Sequence, residues 1–314
     1  MSIQETGRKS GIDRIYILGL GAIGSIYAAR LHDRNPETLK VIAGPERIAT
    51  YERAGVLING RSYHFNYISP GQKSEPADLL IIAVKFADLE QGIRDISGFI
   101  GENTTVLSLL NGVLSEELIG NSIGLQHMIY GFTTATSMRE SVTTQYATIG
   151  KIVFGERTNE QLSQRVQAVK TLFDEANIPY EIPVDMLRAQ WKKFMMNTGY
   201  NQASAILKAP TRVFHEEGPA RELMLKAADE VVQISQQAGI GLNQSDLEDF
   251  VSTINKLDPS FKTSMLQDIE AGRKSELENF SGAVRLLGQK YHIPTPVNNT
   301  LYLTIKAMER ISQN

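Results

Sequence analysis

Residues 14–34, RIYILGLGAIGSIYAARLHDR, constrain the fold more than any other stretch of this chain. The apolar run IYIL leads into glycines at 19, 21 and 24, and a helical pattern follows at once. Strand, tight turn and helix in that order form the first unit of a parallel α/β sheet. Similar runs recur downstream: LKVIAG, ADLLIIAV, TTVLSLL and HMIYGFTT. They are almost continuous in apolar residues, as expected of strands buried on both faces of a sheet. The pattern predicts a doubly wound α/β domain. VLINGRSYHF, with Asn59-Gly60 between apolar stretches, predicts a β-hairpin insert, and QYATIGKIVFG predicts a second strand pair near the end of that domain.

The texture changes after Pro179 and Pro183. Strand signals stop, and long helical periodicities take over in MLRAQWKKFMMNTGYNQASAILK, in PARELMLKAADEVVQISQQAG and after Ser264. We therefore expect residues 14–182 to form the α/β domain and residues 183–314 an all-helical second domain. A chain of 314 residues is long enough for two domains. Residues 1–13 are polar without an apolar core and read as a loose tail, not a secretory signal. Cysteine is absent, which excludes disulfides, thiolate catalysis and cysteine-based metal sites and suits a reducing, cytoplasmic setting. The formal net charge of −3 offers no attraction to a phosphate backbone, so nucleic acid is not an expected partner. The run LLIIAV is far too short to span a bilayer, so no membrane association is expected.

By composition alone, three glycines at these spacings arise by chance roughly 0.15 times in such a chain. Context gives the motif its meaning. With a strand before and a helix after, Gly19 allows the tight turn. Gly21 lets the backbone approach a pyrophosphate, and Gly24 lets the helix pack on the strand. The whole turn, Gly19, Leu20, Gly21, Ala22, Ile23 and Gly24, is the candidate cofactor loop. The second strand, LKVIA, is followed by Gly44-Pro45-Glu46-Arg47. Glu46 is a possible acid for ribose hydroxyls and Arg47 a possible partner for a 2′-phosphate; the pattern leaves both open.

Polar residues at later strand ends fall where ligands bind in open α/β sheets. Lys85 follows LLIIAV, Asn111 follows VLSLL, and Thr134 and Ala135 end MIYGFTTA. In the helical half, Lys193, Asn197 and Asn201 are spaced i, i+4, i+8 and so share one helix face. Their neighbours Trp191, Phe194, Met195, Met196 and Tyr200 are bulky and apolar, so the helix is expected to be buried on several sides. An ammonium flanked by two amides suits a carbonyl substrate, because it can donate a proton to the oxygen. Ser264 with Gln267, and Ser275 with Glu278, form two candidate capping boxes, and Gly272 between them is a candidate stop. The expectation is two helices, 265–271 and 276–289, whose starts present Ser264 and Glu276.

Taken together, GLGAIG, Val84-Lys85, LLNG at 109–112, TTA at 133–135, WKKFMMNTGYN at 191–201, SMLQDIEAGRKSE at 264–276 and IPTPVNNTLY at 293–302 resemble the ketopantoate reductase family. The resemblance implies a Rossmann-like domain followed by a helical one, and NADPH-dependent reduction of a 2-keto acid, ketopantoate, to pantoate. It implies Lys193 as general acid and Glu276 as its partner at cofactor and substrate. It implies Asn197, Asn201 and Ser264 as substrate binders, Asn111 at both substrate and cofactor, and Lys85 and Ala135 at the cofactor. The chain departs from the family's pattern at three places. The arginine usual directly after the second strand falls at Gly44, which leaves Arg47 as a substitute. A substrate-side asparagine falls at Thr211, and the asparagine before the glycine of the last long helices is Ser281. The alternatives are a reductase of another 2-keto acid and a non-catalytic NADP-binding sensor. The apolar helices of the second domain could also pair two subunits into a homodimer.

Overall fold

The computed structural model describes residues 11–312. The chain forms two compact units, and not by a single cut. One holds the segments up to Leu110 and Ser115–Met186; the other holds Asn111–Leu114 and the chain from Leu187 onward.

The first unit contains β1 (Ile15–Leu18), α1 (Ala22–Arg34), β2 (Leu39–Ile42), α2 (Pro45–Ala54), β3 (Val56–Ile58), β4 (Arg61–Tyr63) and β5 (Asn66–Ile68). It continues with β6 (Leu79–Ile82), α3 (Leu89–Ile96), β7 (Thr105–Ser108), α4 (Ser115–Ile123) and β8 (Met128–Thr133). It closes with β9 (Thr136–Glu140), β10 (Thr143–Thr148), β11 (Ile152–Gly155), α5 (Gln164–Glu175) and β12 (Tyr180–Glu181). The main sheet has eight strands in the order β12-β11-β8-β7-β6-β1-β2-β5. The six from β5 to β8 are parallel, and β11 runs antiparallel to β8. This is the doubly wound α/β arrangement that the run of apolar strands implies.

Strands β1, β6 and β7 are buried at every position. Alternate residues serve two cores. Ile15, Ile17 and Ile81 pack with α1 and α5, while Tyr16, Leu18 and Ile82 pack with α3 and α4. A strand that must be apolar on both faces cannot alternate, which is why the sequence signal is a continuous run. The strand order reverses between β1 and β6, so the carboxyl ends of those two strands open a crevice.

Four shorter strands form a second sheet, β4-β3-β10-β9. Asn59 and Gly60 both have positive φ, 46° and 81°, which joins β3 to β4 as the expected hairpin. The QYATIGKIVFG stretch does hold two strands, but they do not pair with each other. β10 joins β9 and β3 in the small sheet, whereas β11 joins β8 and β12 in the large one. Residues 1–10 of the expected tail lie outside the described residues. The remainder of that stretch is anchored: Ile12 is buried, and the Asp13 N–H donates to Asp78 Oδ2 at 3.0 Å.

The second unit is helical among its described residues, with α6 (Met186–Leu207), α7 (Pro219–Gln237), α8 (Gln244–Asn255), α9 (Ser264–Glu270), α10 (Ser281–Tyr291) and α11 (Pro296–Ser312). Helix α6 is its centre, with Trp191, Phe194, Met195, Tyr200, Ala203 and Ala205 all buried. At Gly199 an added Cβ would come within 2.6 Å of the Met224 carbonyl, so a glycine there lets α7 lie close. Glu230 of α7 accepts from the Val297 and Asn298 N–H groups at 2.7 and 2.9 Å and so caps the start of α11. The IPTPVNNTLY segment is thereby accounted for as a helix start.

The C-terminal helix starts differ from expectation in detail. Gly272, at φ +65°, does end α9, with the Arg273 N–H returning to the Asp268 carbonyl at 2.8 Å. The cap of α9, however, is Thr263, whose Oγ1 accepts from the Leu266 N–H at 3.2 Å; Ser264 is already the first helical residue. The Ser275–Glu278 box does not form, because Glu309 takes both the N–H and the hydroxyl of Ser275, at 2.8 and 2.6 Å. A short 3₁₀ turn, Leu277–Asn279, occupies the expected helix start, and α10 begins only at Ser281. Among the described residues, no helix is long and apolar enough to cross a membrane.

Candidate active site

In the first unit, Gly19 to Gly24 form the turn between β1 and α1. Gly19 has φ +98°, and an added Cβ would sit 2.8 Å from the Ala83 carbonyl group. At Gly24 a Cβ would overlap the Gly19 carbonyl oxygen. Gly21 differs: only the Ala83 oxygen, at 3.7 Å, lies near its Cβ position. Packing within this unit thus requires the first and third glycines, and leaves the middle one facing space. Gly21 is also the N-cap of α1 and offers no side-chain cap, and no acid stands in the first turn. The unsatisfied N–H groups and positive dipole end of α1 therefore remain available to an anion. This is the cradle that a dinucleotide pyrophosphate fits.

The other expected cofactor residues are dispersed around this unit. Arg47 is exposed in the first turn of α2. Lys85 is exposed beyond the end of β6, its carbonyl accepting from the Asp88 N–H at 2.9 Å. Ala135 follows β8, and its N–H is held by Thr133 Oγ1 at 3.0 Å.

The second unit brings together three residues from distant parts of the chain. Lys193 Nζ donates to Asn111 Oδ1 at 2.9 Å, and Asn111 Nδ2 donates to Glu276 Oε2 at 2.8 Å. The orientation of the amide follows from its neighbours. An ammonium only donates and a carboxylate only accepts, so the oxygen must face Lys193 and the nitrogen Glu276. Glu276 therefore reaches Lys193 through Asn111. Burial pulls the Lys193 ammonium down from the usual lysine value to about 8, against the upward pull of the Glu276 charge. A lysine poised there is an effective proton donor at neutral pH.

Asn197 and Asn201 follow Lys193 at one-turn intervals on α6, and neither amide has a hydrogen-bond partner among the described residues. Ser264 is exposed and makes no hydrogen bond to the Lys193–Asn111–Glu276 group. One residue not singled out from sequence stands beside the group. Asn279, 1% exposed, lies 3.0 Å from where a Cβ on Gly112 would be, so no side chain fits at the residue after Asn111. Neither polar atom of its carboxamide has a hydrogen-bond partner. Its only sequence signal is its place one turn after Glu276.

Family models fit both halves of the chain. Ketopantoate reductase PanE/ApbA matches residues 15–159, and its C-terminal counterpart matches residues 185–309. The chain belongs to the ketopantoate reductase family. That places it among oxidoreductases with a Rossmann-like domain. A ketopantoate reductase relative, the 2-dehydropantoate 2-reductase of Streptococcus pyogenes serotype M3, is 24% identical over 301 residues, covering 95% of this chain and 98% of that one. D-mandelate dehydrogenase, solved with NADH and anilino(oxo)acetate, has a TM-score of 0.85 at 21% identity, over 96% of this chain and 100% of that chain. A dimeric ketopantoate reductase from Staphylococcus aureus has a TM-score of 0.77 at 16% identity, over 95% and 99% of the two chains.

Proposed function

We propose that this member of the ketopantoate reductase family reduces a 2-keto acid with NADPH, and that ketopantoate, giving pantoate, is the first candidate. The observation that carries the reading is the Lys193 ammonium held on Asn111 at 2.9 Å and linked through it to Glu276. Residues 14–182, apart from the Asn111–Leu114 segment that belongs to the second unit, serve the nucleotide, and residues 183–314 the substrate. When bound, reduced nicotinamide supplies hydride to the carbonyl carbon. Gly19 to Gly24 hold the pyrophosphate; Lys85 and Ala135 flank the cofactor, and Arg47 the ribose phosphate. Lys193 hydrogen-bonds the carbonyl oxygen and donates its proton as negative charge develops there, so the product is the 2-hydroxy acid. Glu276, through Asn111, orients the ammonium and keeps it protonated. Asn111, Asn197, Asn201 and Ser264 bind the polar groups of the substrate. A homodimer is the proposed assembly, by likeness to the S. aureus enzyme.

A second reading has an observation in its favour. Thr211 is fully buried, its hydroxyl bonded to the Tyr200 hydroxyl and to the Phe261 carbonyl at 3.0 Å. It is engaged in the core and offers a substrate nothing. The family pattern places a substrate-side asparagine there, so this chain presents one polar contact fewer. That favours a 2-keto acid other than ketopantoate. The D-mandelate dehydrogenase likeness is in keeping with such a substrate.

A panel of 2-keto acids assayed by NADPH and NADH oxidation separates the readings. The first predicts the highest kcat/KM with ketopantoate and NADPH. The second predicts that another 2-keto acid exceeds ketopantoate by about tenfold or more, as expected when one polar contact is gained or lost. Nucleotide binding without turnover of any keto acid contradicts both.

A further inference from the structure

Arg139 is a half-buried cation of the first unit. It lies on β9, where burial alternates along the strand and turns Ser137 and Arg139 inward. Its Nη1 donates to Ser25 Oγ at 2.6 Å and to Thr144 Oγ1 at 3.1 Å. Ser25, fully buried on α1, in turn donates to the Leu20 carbonyl at 3.3 Å, so Arg139 is linked by two hydrogen bonds to the glycine turn. On its other side the guanidinium stands 5.9 Å from the ring centre of Tyr51 on α2, which stacks on Tyr67 at 5.8 Å. Arg47 lies one turn before Tyr51 on the same face of α2, near enough for its charge to act on Arg139.

Two facts make this pair incomplete. Arg139 Nη2 is buried and has no hydrogen-bond partner. Among the described residues, neither Arg139 nor Arg47 forms an ion pair with a carboxylate. A half-buried guanidinium that meets only hydroxyls and aromatic rings, beside a second guanidinium, lacks its counter-charge. Burial lowers its proton affinity; the Tyr51 hydroxyl offsets part of this, and the Arg47 charge adds to it. The missing partner is an anion. Its position is set by the fold: Ser25 and Leu20 belong to the β1–α1 turn, and Arg47 to the first turn after β2. The adenosine ribose of a dinucleotide sits beyond those two strand ends in a sheet of this kind. Gly44, which follows β2 as the N-cap of α2, has no side chain to offer.

We propose that Arg139, together with Arg47, binds the 2′-phosphate of the adenosine ribose, so that a strand of the small sheet supplies the discrimination for NADPH. The inference rests on the nucleotide-binding reading given above. A guanidinium fork matches a phosphate bidentately, and Nη2 is the free prong.

The test is calorimetric binding of 2′,5′-ADP and 5′-AMP to the full chain, which needs no turnover. The wild type should bind 2′,5′-ADP more tightly by at least about tenfold, the worth of a charge-assisted contact. Arg139→Met should remove most of that preference and leave 5′-AMP affinity unchanged. Arg139→Lys should keep part of it, since a charge without the fork remains. Arg47→Ala, at an exposed position that does not endanger folding, should reduce the preference by a smaller factor. Equal losses for both nucleotides in Arg139→Met would show a structural role only and overturn the proposal. So would a wild type that binds 5′-AMP without preferring the 2′-phosphate, although nucleotide binding itself would then stand. Failure to bind either nucleotide would overturn the nucleotide-binding reading.

Discussion

Replacing Lys193 with methionine should lower kcat for 2-keto acid reduction by about 10²–10⁴-fold, the usual contribution of a positioned proton donor. Nucleotide affinity should not change, because the glycine turn belongs to the other unit. The same substitution should stabilise the protein. A lysine lowered from 10.5 to about 8 opposes folding by about 3 kcal/mol while it remains charged. This cost is fully present below pH 8. It fades as pH rises from about 8 toward 10.5, because there the unfolded chain holds a proton that the folded one has released. Methionine fills a similar volume without charge. The Asn111 oxygen loses its donor, which offsets about 1 kcal/mol. A rise of about 2–5 °C in the thermal midpoint is the expected net result. A variant that kept kcat within about threefold would remove Lys193 from the mechanism. A variant with a lowered midpoint would contradict the burial argument.

The second large effect separates two glycines three residues apart. Gly21→Val adds a side chain into space bounded only by the Ala83 oxygen, on an extended backbone with φ −74° that valine readily adopts. The apoprotein should tolerate it, with the thermal midpoint shifted by about 1 °C or less. Nucleotide affinity should fall by about 100-fold, because the side chain occupies the path of the pyrophosphate. Gly24→Ala should do the opposite. Its Cβ meets the Gly19 carbonyl oxygen and lies 3.1 Å from Ala83 Cβ, so the turn itself must move. An overpacking cost of about 1–3 kcal/mol is expected. Calorimetry with 5′-AMP and thermal unfolding on both variants checks the contrast. Unchanged affinity in Gly21→Val would mean that the turn does not hold a nucleotide.

Much of the fold is legible in the sequence because its signals are local. The apolar runs at β1, β6 and β7 are continuous because both faces are covered. Helix α1 begins and ends where its pattern does, and the β3–β4 turn follows from Asn59-Gly60. The misplaced features depend on distant partners or on one-residue choices. Nothing local in QYATIGKIVFG says that β10 and β11 join different sheets. The Ser275 cap is lost to Glu309, 34 residues away. At the start of α9, adjacent hydroxyl residues compete, and the extended conformation of Thr263 (φ −63°, ψ 157°) makes it the cap and puts Ser264 inside the helix.

The candidate site divides in the same way. The stripe of Lys193, Asn197 and Asn201 lies on one helix and follows from its spacing. The bridge from Lys193 to Glu276 joins residues 82 and 165 positions from Asn111, and no periodicity reports that. Asn279 and Arg139 carry no motif. They stand out only through what surrounds them, a glycine with no room for a side chain in one case and an unmatched charge in the other.

The most direct test of the central claim is the pH profile of kcat/KM for the keto acid, at saturating NADPH, in wild type and in Glu276→Gln. If protonated Lys193 is the donor, as proposed, wild-type kcat/KM should be level at neutral pH and fall as pH rises through about 8. Glutamine can still accept from Asn111 Nδ2, but it removes the charge that raises the lysine pKa. The fall should therefore begin at lower pH in Glu276→Gln. A wild-type profile that stays level well above pH 8, or a break that Glu276→Gln leaves in place, would contradict proton donation by Lys193 under the control of Glu276.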